Sequence, residues 1–171
     1  LGVGSTFHFE VQLETIEEAQ WRELADHDSP TADDTIKGAP DFTGRHALLA
    51  DDIEINRMIV TEMLAETGIE IQEATNGIEA VECFQNSPPG YFDIIFMDVQ
   101  MPEMNGYEAT KNIRELDRPD ADSVAIIAMT ANALKADVEH ALQSGMNGHI
   151  AKPIDFDEAF KLLGELFLKE K

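Results

Sequence analysis

The feature that most restricts the fold is an alternation of two apolar patterns. From residue 45 onward, short and nearly continuous apolar runs (His46–Ala50, Ile94–Met97, Val124–Met129) take turns with stretches whose apolar residues recur at helical spacing. Runs of that length are the signature of strands covered on both faces. A weaker strand is predicted from Ile69 through Ile71 to Thr75, and a last short one over His149–Ala151. Between them, Met58, Ile59, Met63 and Leu64 form one helical face ended at Gly68, and Ile78, Val81 and Phe84 follow Asn76, which has Glu79 three residues on as a capping partner. Ala109, Ile113 and Leu116 mark a third helix. Leu134, Val138, Ala141 and Leu142 mark a fourth, ended before Gly145, and Phe156, Phe160, Leu163 and Phe167 a fifth behind an Asp155 cap. Five strands alternating with five helices predict an α/β fold with an open, doubly wound, five-stranded parallel sheet, (βα)5, because every parallel return needs a crossover helix.

Charge excludes several classes of partner. With 34 Asp and Glu against 12 Lys and Arg, the 171-residue chain carries a formal net charge of −22. Phosphate backbones and anionic membrane surfaces are bound by clustered cations, so neither nucleic acid nor membrane contact is expected. The apolar runs fall far short of the roughly 18 residues of a spanning helix. The one cysteine, Cys83, cannot form an internal disulfide, and the N-terminus lacks the basic start and apolar stretch of a signal peptide. A cytoplasmic location follows as the expectation.

The acidity also marks a boundary. Residues 1–41 hold ten acidic and two basic residues. Thr6 to Leu13 alternates Phe7, Phe9, Val11 and Leu13 with polar residues, the pattern of a half-buried strand. Residues 14–43 then read as an acidic linker in which Trp21, Leu24 and Ile36 are too few to build a core.

In a doubly wound sheet, sites form outside the carboxyl ends of the strands. The first predicted strand ends in Asp51-Asp52, the third in Asp98, the fourth in Thr130-Ala131 and the fifth in Lys152-Pro153. Singly, each has an ordinary structural explanation. Together they place three carboxylates, a hydroxyl and an ammonium on one rim. Three clustered carboxylates repel one another unless a cation stands among them. Mg²⁺ suits such a set, since it takes a few carboxylate oxygens, keeps several waters and leaves room for phosphate oxygens.

The residues around these positions resemble the receiver domain of two-component response regulators. The resemblance rests on Ala50-Asp51-Asp52 with Asn56-Arg57, the run Phe96-Met97-Asp98-Val99-Gln100-Met101-Pro102-Glu103-Met104-Asn105-Gly106, Met129-Thr130-Ala131, and Ala151-Lys152-Pro153-Ile154. It covers residues 44–168 and implies the flavodoxin-like strand order 2-1-3-4-5, for which the chemotaxis receiver is a known example. It further implies that Asp98 accepts a phosphoryl group from a phosphohistidine, and that Asp51, Asp52, Asp98 and the backbone carbonyl of Gln100 hold Mg²⁺. Lys152 would pair with a phosphate oxygen, Pro153 would follow a cis peptide, and Thr130 would donate its hydroxyl to the acyl phosphate and draw the next loop inward. Gln100 and Asn132 would flank the path of the attacking water.

Two positions depart from the common pattern. His149 stands where many receivers carry Tyr or Phe, which weakens an aromatic-switch argument, and Ile53 follows the acid pair where a polar residue is frequent. Ile53, Ile55 and Ile154 suggest a docking patch for a partner helix.

Gly2-Val3-Gly4-Ser5-Thr6-Phe7 resembles the last glycine-rich box and following strand of the ATP-binding domain of sensor histidine kinases. With a linker and a receiver behind it, residues 1–13 read as a remnant of that domain, and the chain as the C-terminal receiver of a hybrid kinase. The expected partners are a histidine phosphotransfer protein and the kinase core of the parent chain. The alternatives are a regulatory domain that gates the adjacent kinase, or a Mg²⁺-dependent phosphatase, which is disfavoured because Gln100 stands where a general acid is needed.

Overall fold

The computed structural model describes residues 40–131 and 135–168. The predicted strand at Thr6–Leu13, the linker up to residue 39, Asn132 and Leu134 lie outside these residues.

The elements alternate without exception: β1 (His46–Ala50), α1 (Glu54–Ala65), β2 (Glu70–Ala74), α2 (Gly77–Asn86), β3 (Ile94–Asp98), α3 (Gly106–Arg114), β4 (Ala125–Thr130), α4 (Lys135–Gln143), β5 (Gly148–Ala151) and α5 (Phe156–Leu168). The strands form one sheet of order β2-β1-β3-β4-β5, parallel throughout. The order reverses direction between β1 and β3, which is where a crevice opens at the carboxyl edge of such a sheet.

The continuous apolar runs are continuous because both faces are covered. Along β1, Leu48 and Ala50 join one buried cluster with Phe84 and Ile113, while Ala47 and Leu49 join the other with Leu64 and Leu163. In β3, Ile95 and Met97 face the first cluster and Ile94 and Phe96 the second. Phe42, counted with the linker by composition, is buried in the second cluster, and its ring meets Phe167 edge to face at 5.1 Å.

Helix starts and stops follow local chemistry. Asn76 Oδ1 accepts the Glu79 N–H at 2.9 Å, while the Glu79 carboxylate reaches back to Thr75 rather than to Asn76. Asn105 and Glu108 form a complete capping box at α3, and Asp155 accepts from the Glu158 N–H at 3.0 Å at α5. Gly68 closes the first helical region with φ +74, a conformation glycine adopts without strain.

Some predicted faces turn differently. Of the face expected on α1, Met63 and Leu64 are buried but Met58 and Ile59 are exposed, and Val60 completes the buried stripe. Ile78 and Leu142 also point outward, while Ala80, Phe84 and Ala141 carry the packing. The reason is geometric: Val60, Met63 and Leu64 fall at offsets 0, 3 and 4 and so share one stripe against the sheet, whereas Met58 and Ile59 lie two and one residues before Val60, which turns them to the side and back of the helix. No helix among the described residues is long and apolar enough to cross a membrane.

The opposite rim of the sheet is tied by Arg118. Its guanidinium makes a two-pronged pair with Asp120 (Nε to Oδ1 2.7 Å, Nη2 to Oδ2 2.8 Å), stacks over the Phe84 ring and donates to the carbonyls of Phe84 and Ser87 at the end of α2. Asp120 also accepts the Gly90 N–H at 2.7 Å. The Arg118 hydrogen bonds, followed by that of Gly90, hold the Asp120 carboxyl down to about 2 from an ordinary 3.8. Because the folded value lies below the unfolded one, the stabilisation is complete above the unfolded value and is lost as pH falls toward the folded one. Arg118→Ala is expected to cost about 1.5–3 kcal/mol in urea unfolding at neutral pH. The gap in stability between wild type and Asp120→Asn should narrow as pH falls from 3.8 toward 2.

Candidate functional site

Strand ends bring the predicted residues together. Asp51 follows β1, Asp98 closes β3, and these strands are neighbours with Ala50 opposite Met97. Asp51, Asp52 and Asp98 each offer an oxygen, and the three oxygens lie within 4.8 Å of one another. Asp51 and Asp98 are buried, at 1% and 5% exposure, whereas Asp52 is exposed.

Lys152 crosses from beyond β5 to span the buried pair. Its Nζ lies 2.6 Å from Asp51 Oδ2 and 2.9 Å from Asp98 Oδ2. Its backbone N–H donates to the Thr130 carbonyl at 2.7 Å, and the Lys152–Pro153 peptide is cis. Burial pushes the Asp98 carboxyl above its ordinary value, and Lys152 opposes that shift.

The carboxylates are further fixed by short-range donors. Asp51 Oδ1 accepts the Ile53 N–H at 2.9 Å, and the Asn56 side-chain amide lies 3.1 and 3.2 Å from the two Asp51 oxygens. Arg57 donates to the Asp51 backbone carbonyl at 2.8 Å. The Gln100 N–H donates to Asp98 Oδ1 at 3.2 Å. At Gly106 a side chain would overlap the Asp98 carbonyl, so the loop after β3 can close on the strand end only with glycine there.

Thr130 ends β4 beside Asp98's strand, buried at 8% exposure. His149 lies opposite Ala128 in β5, half-buried and three residues before Lys152. No hydrogen bond or ion pair of its side chain to the acidic cluster is seen among the described residues. Asn132 is outside them. Asn56 and Arg57 were legible only as part of a motif. Their contacts with Asp51 were signalled by nothing more than spacing, five and six residues on, across the first turn of α1.

This donor set fits a hard divalent cation. It offers only oxygen ligands, one carboxylate is solvent-facing, and the buried acids share a single ammonium. Lys152→Ala is expected to cost about 3 kcal/mol at neutral pH, since it leaves two buried carboxylates without that partner. The deficit should shrink on acidification, because a folded-state carboxyl held above its unfolded value regains stability as it takes up a proton. Urea unfolding at neutral and mildly acidic pH reads both effects.

Known proteins share this fold. A receiver domain of a Pseudomonas aeruginosa sensor histidine kinase, solved with a magnesium ion in its active-site cleft, is 35% identical with a TM-score of 0.65, covering 72% of this chain and 98% of that one. The receiver of the Saccharomyces cerevisiae response regulator Ssk1, solved with the histidine phosphotransfer protein Ypd1, is 30% identical with a TM-score of 0.64, covering 75% and 90%. Hybrid signal transduction histidine kinase B of Dictyostelium discoideum is 40% identical over 116 residues, 63% of this chain and 6% of that protein. The chain spans 15% or less of the length of such curated relatives. The response regulator receiver domain family matches residues 47–163, with the acid pair, Asp98 and Lys152 inside the matched span, and the chain belongs to that family, the receiver domains of two-component phosphorelays.

Proposed function

We propose that the chain takes a phosphoryl group from a phosphohistidine onto Asp98 and passes it to a histidine phosphotransfer protein. The observation that carries this reading is the placement of Asp98 at a strand end, with Lys152 Nζ at 2.9 Å and the acid pair within 4.8 Å. A carboxylate oxygen of Asp98 attacks phosphorus, the P–N bond breaks, and its electron pair stays on the imidazole nitrogen of the donor. Phosphoryl transfer demands in-line positioning and cancellation of charge on the equatorial oxygens more than it demands acid–base chemistry. Lys152 supplies part of that cancellation. Asp51, Asp52, Asp98 and the Gln100 carbonyl would hold Mg²⁺, which when bound supplies the remaining positive charge.

The new phosphoryl group competes with Asp51 for the Lys152 ammonium, and Thr130, at the end of the adjacent strand, gives its hydroxyl to it. That exchange of partners is the switch, with His149 as the residue on β5 that follows Thr130. Gln100 and Asn132 tune the lifetime of the acyl phosphate.

Relay is favoured over gating of a neighbouring kinase by the surface beside the site. Ile53, Ile55, Met58 and Ile59 are each half or more exposed. Ile59 also lines a groove with Asn56, Val60, Lys152, Pro153 and Ile154 that leads to Asp51. An apolar patch of this kind suits a partner helix that carries a histidine, and the similar receiver of Ssk1 is solved together with the histidine phosphotransfer protein Ypd1. The parent is read as a hybrid histidine kinase with residues 1–13 as the end of its ATP-binding domain, 14–43 as the tether and 44–168 as the receiver, working in the cytoplasm.

With Mg²⁺ and a small phosphodonor, intact-mass measurement should show a gain of one phosphoryl group, abolished by Asp98→Ala or by EDTA. No gain in the wild type would refute the phosphoacceptor reading. Ile55→Asp and Ile59→Asp should leave that reaction intact and slow transfer to a phosphotransfer protein by about tenfold or more, the loss of an interface anchor worth some 1.4 kcal/mol. Transfer at the wild-type rate by both variants would move the docking surface elsewhere.

A further inference from the structure

The acid pair sits in a loop that lacks the usual means of fixing a helix start. The residue before α1 is Ile53, and no side chain caps the helix from that position. The constraint instead runs backward from within the helix. Arg57 Nη1 donates to the backbone carbonyl of Asp51 at 2.8 Å, and Arg57 Nε donates to Glu73 Oε2 on β2 at 2.8 Å. Glu73 accepts a further hydrogen bond from Thr61 on α1, at 3.3 Å. The Arg57 side chain is 12% exposed, so this is an embedded fork and not a waving surface charge.

The carbonyl it grips is significant. Asp51 still donates its N–H to the Ala74 carbonyl, the last rung between β1 and β2. The carbonyl of Asp51 belongs to the peptide plane shared with Asp52, and holding that plane sets ψ of Asp51 and the position of the Asp52 Cα from which its carboxylate projects. Asp51 itself has other restraints, from Ile53, Asn56 and Lys152. Asp52 is exposed, and no side-chain hydrogen bond of its own is recorded among the described residues. Its direction therefore depends on the main chain.

We infer that Arg57 is a positioning residue for the cation site, orienting the Asp51–Asp52 peptide so that the Asp52 carboxylate meets those of Asp51 and Asp98. The inference rests on the reading of the cluster as a Mg²⁺ site. The guanidinium acts through shape, since its charge is already paired with Glu73. Lysine cannot span the Asp51 carbonyl and the Glu73 carboxylate with one planar fork.

The test is Mg²⁺ binding to the full chain by titration calorimetry, with melting of each variant without Mg²⁺ to show that it is folded. Arg57→Ala and Arg57→Lys are both expected to weaken Mg²⁺ binding about tenfold, the usual effect of losing an outer partner of a metal ligand. Lys161→Ala, which removes an exposed positive charge on α5, should leave the affinity within about twofold of wild type. The conservative variant decides the matter even if Arg57→Ala does not fold. Wild-type affinity in Arg57→Lys overturns the inference, since charge alone would then suffice. Wild-type chain that binds no Mg²⁺ overturns the phosphoacceptor reading together with this one, whereas wild-type binding with unaffected Arg57 variants overturns this one alone.

Discussion

One ammonium between two buried carboxylates holds the functional rim together. Asp51 and Asp98 are nearly inaccessible, and Lys152 contacts both within 2.9 Å. Taking two negative charges out of water is costly, and the mutual repulsion adds to that cost. Hydrogen bonds from Ile53, Asn56 and Gln100 offset part of it. The arrangement is thus stable but sensitive to any additional charge that claims Lys152. On the function proposed above, a phosphoryl group on Asp98 would be such a charge and would turn a small covalent change into a change of shape.

The two rims of the sheet divide the labour. At the amino ends of the strands, charges are paired for rigidity: Arg118 clamps Asp120 and the end of α2, while Arg45 binds Asp93 at 2.6 Å and lies over the Phe167 ring. At the carboxyl ends, acids outnumber their cation and one of them faces solvent. The hydrophobic clusters on both faces of the sheet carry the stability between them, so the functional rim can keep electrostatic tension without unfolding the domain.

Much of this was legible in the chain. The runs at His46–Ala50 and Ile94–Met97 stand where β1 and β3 stand, and the caps at Asn76 and Asp155 accept from the residues that their spacing implies. The site acids were legible because strand ends are where a doubly wound sheet gathers its ligands. Helix faces were less so. Met58 and Ile59 read as core because they are apolar, yet they lie outside the stripe that α1 buries. Nothing in the sequence singles out Arg118 and Asp120, since the Phe84 carbonyl and the Gly90 amide that they bind are 34 and 30 residues away.

Periodicity and composition by themselves determined the class of fold, the parallel sheet and the rim on which chemistry collects, because burial on one or both faces writes itself into the spacing of apolar residues. The strand order is not written in the periodicity and was implied only by the motif resemblance, and the reach of Lys152 over both Asp51 and Asp98 was decided only by tertiary structure. The physical reason is that a hydrogen bond or ion pair between residues a hundred positions apart leaves no periodic trace: it depends on where packing sets two strand ends, and on distances of about 3 Å that spacing along the chain does not encode.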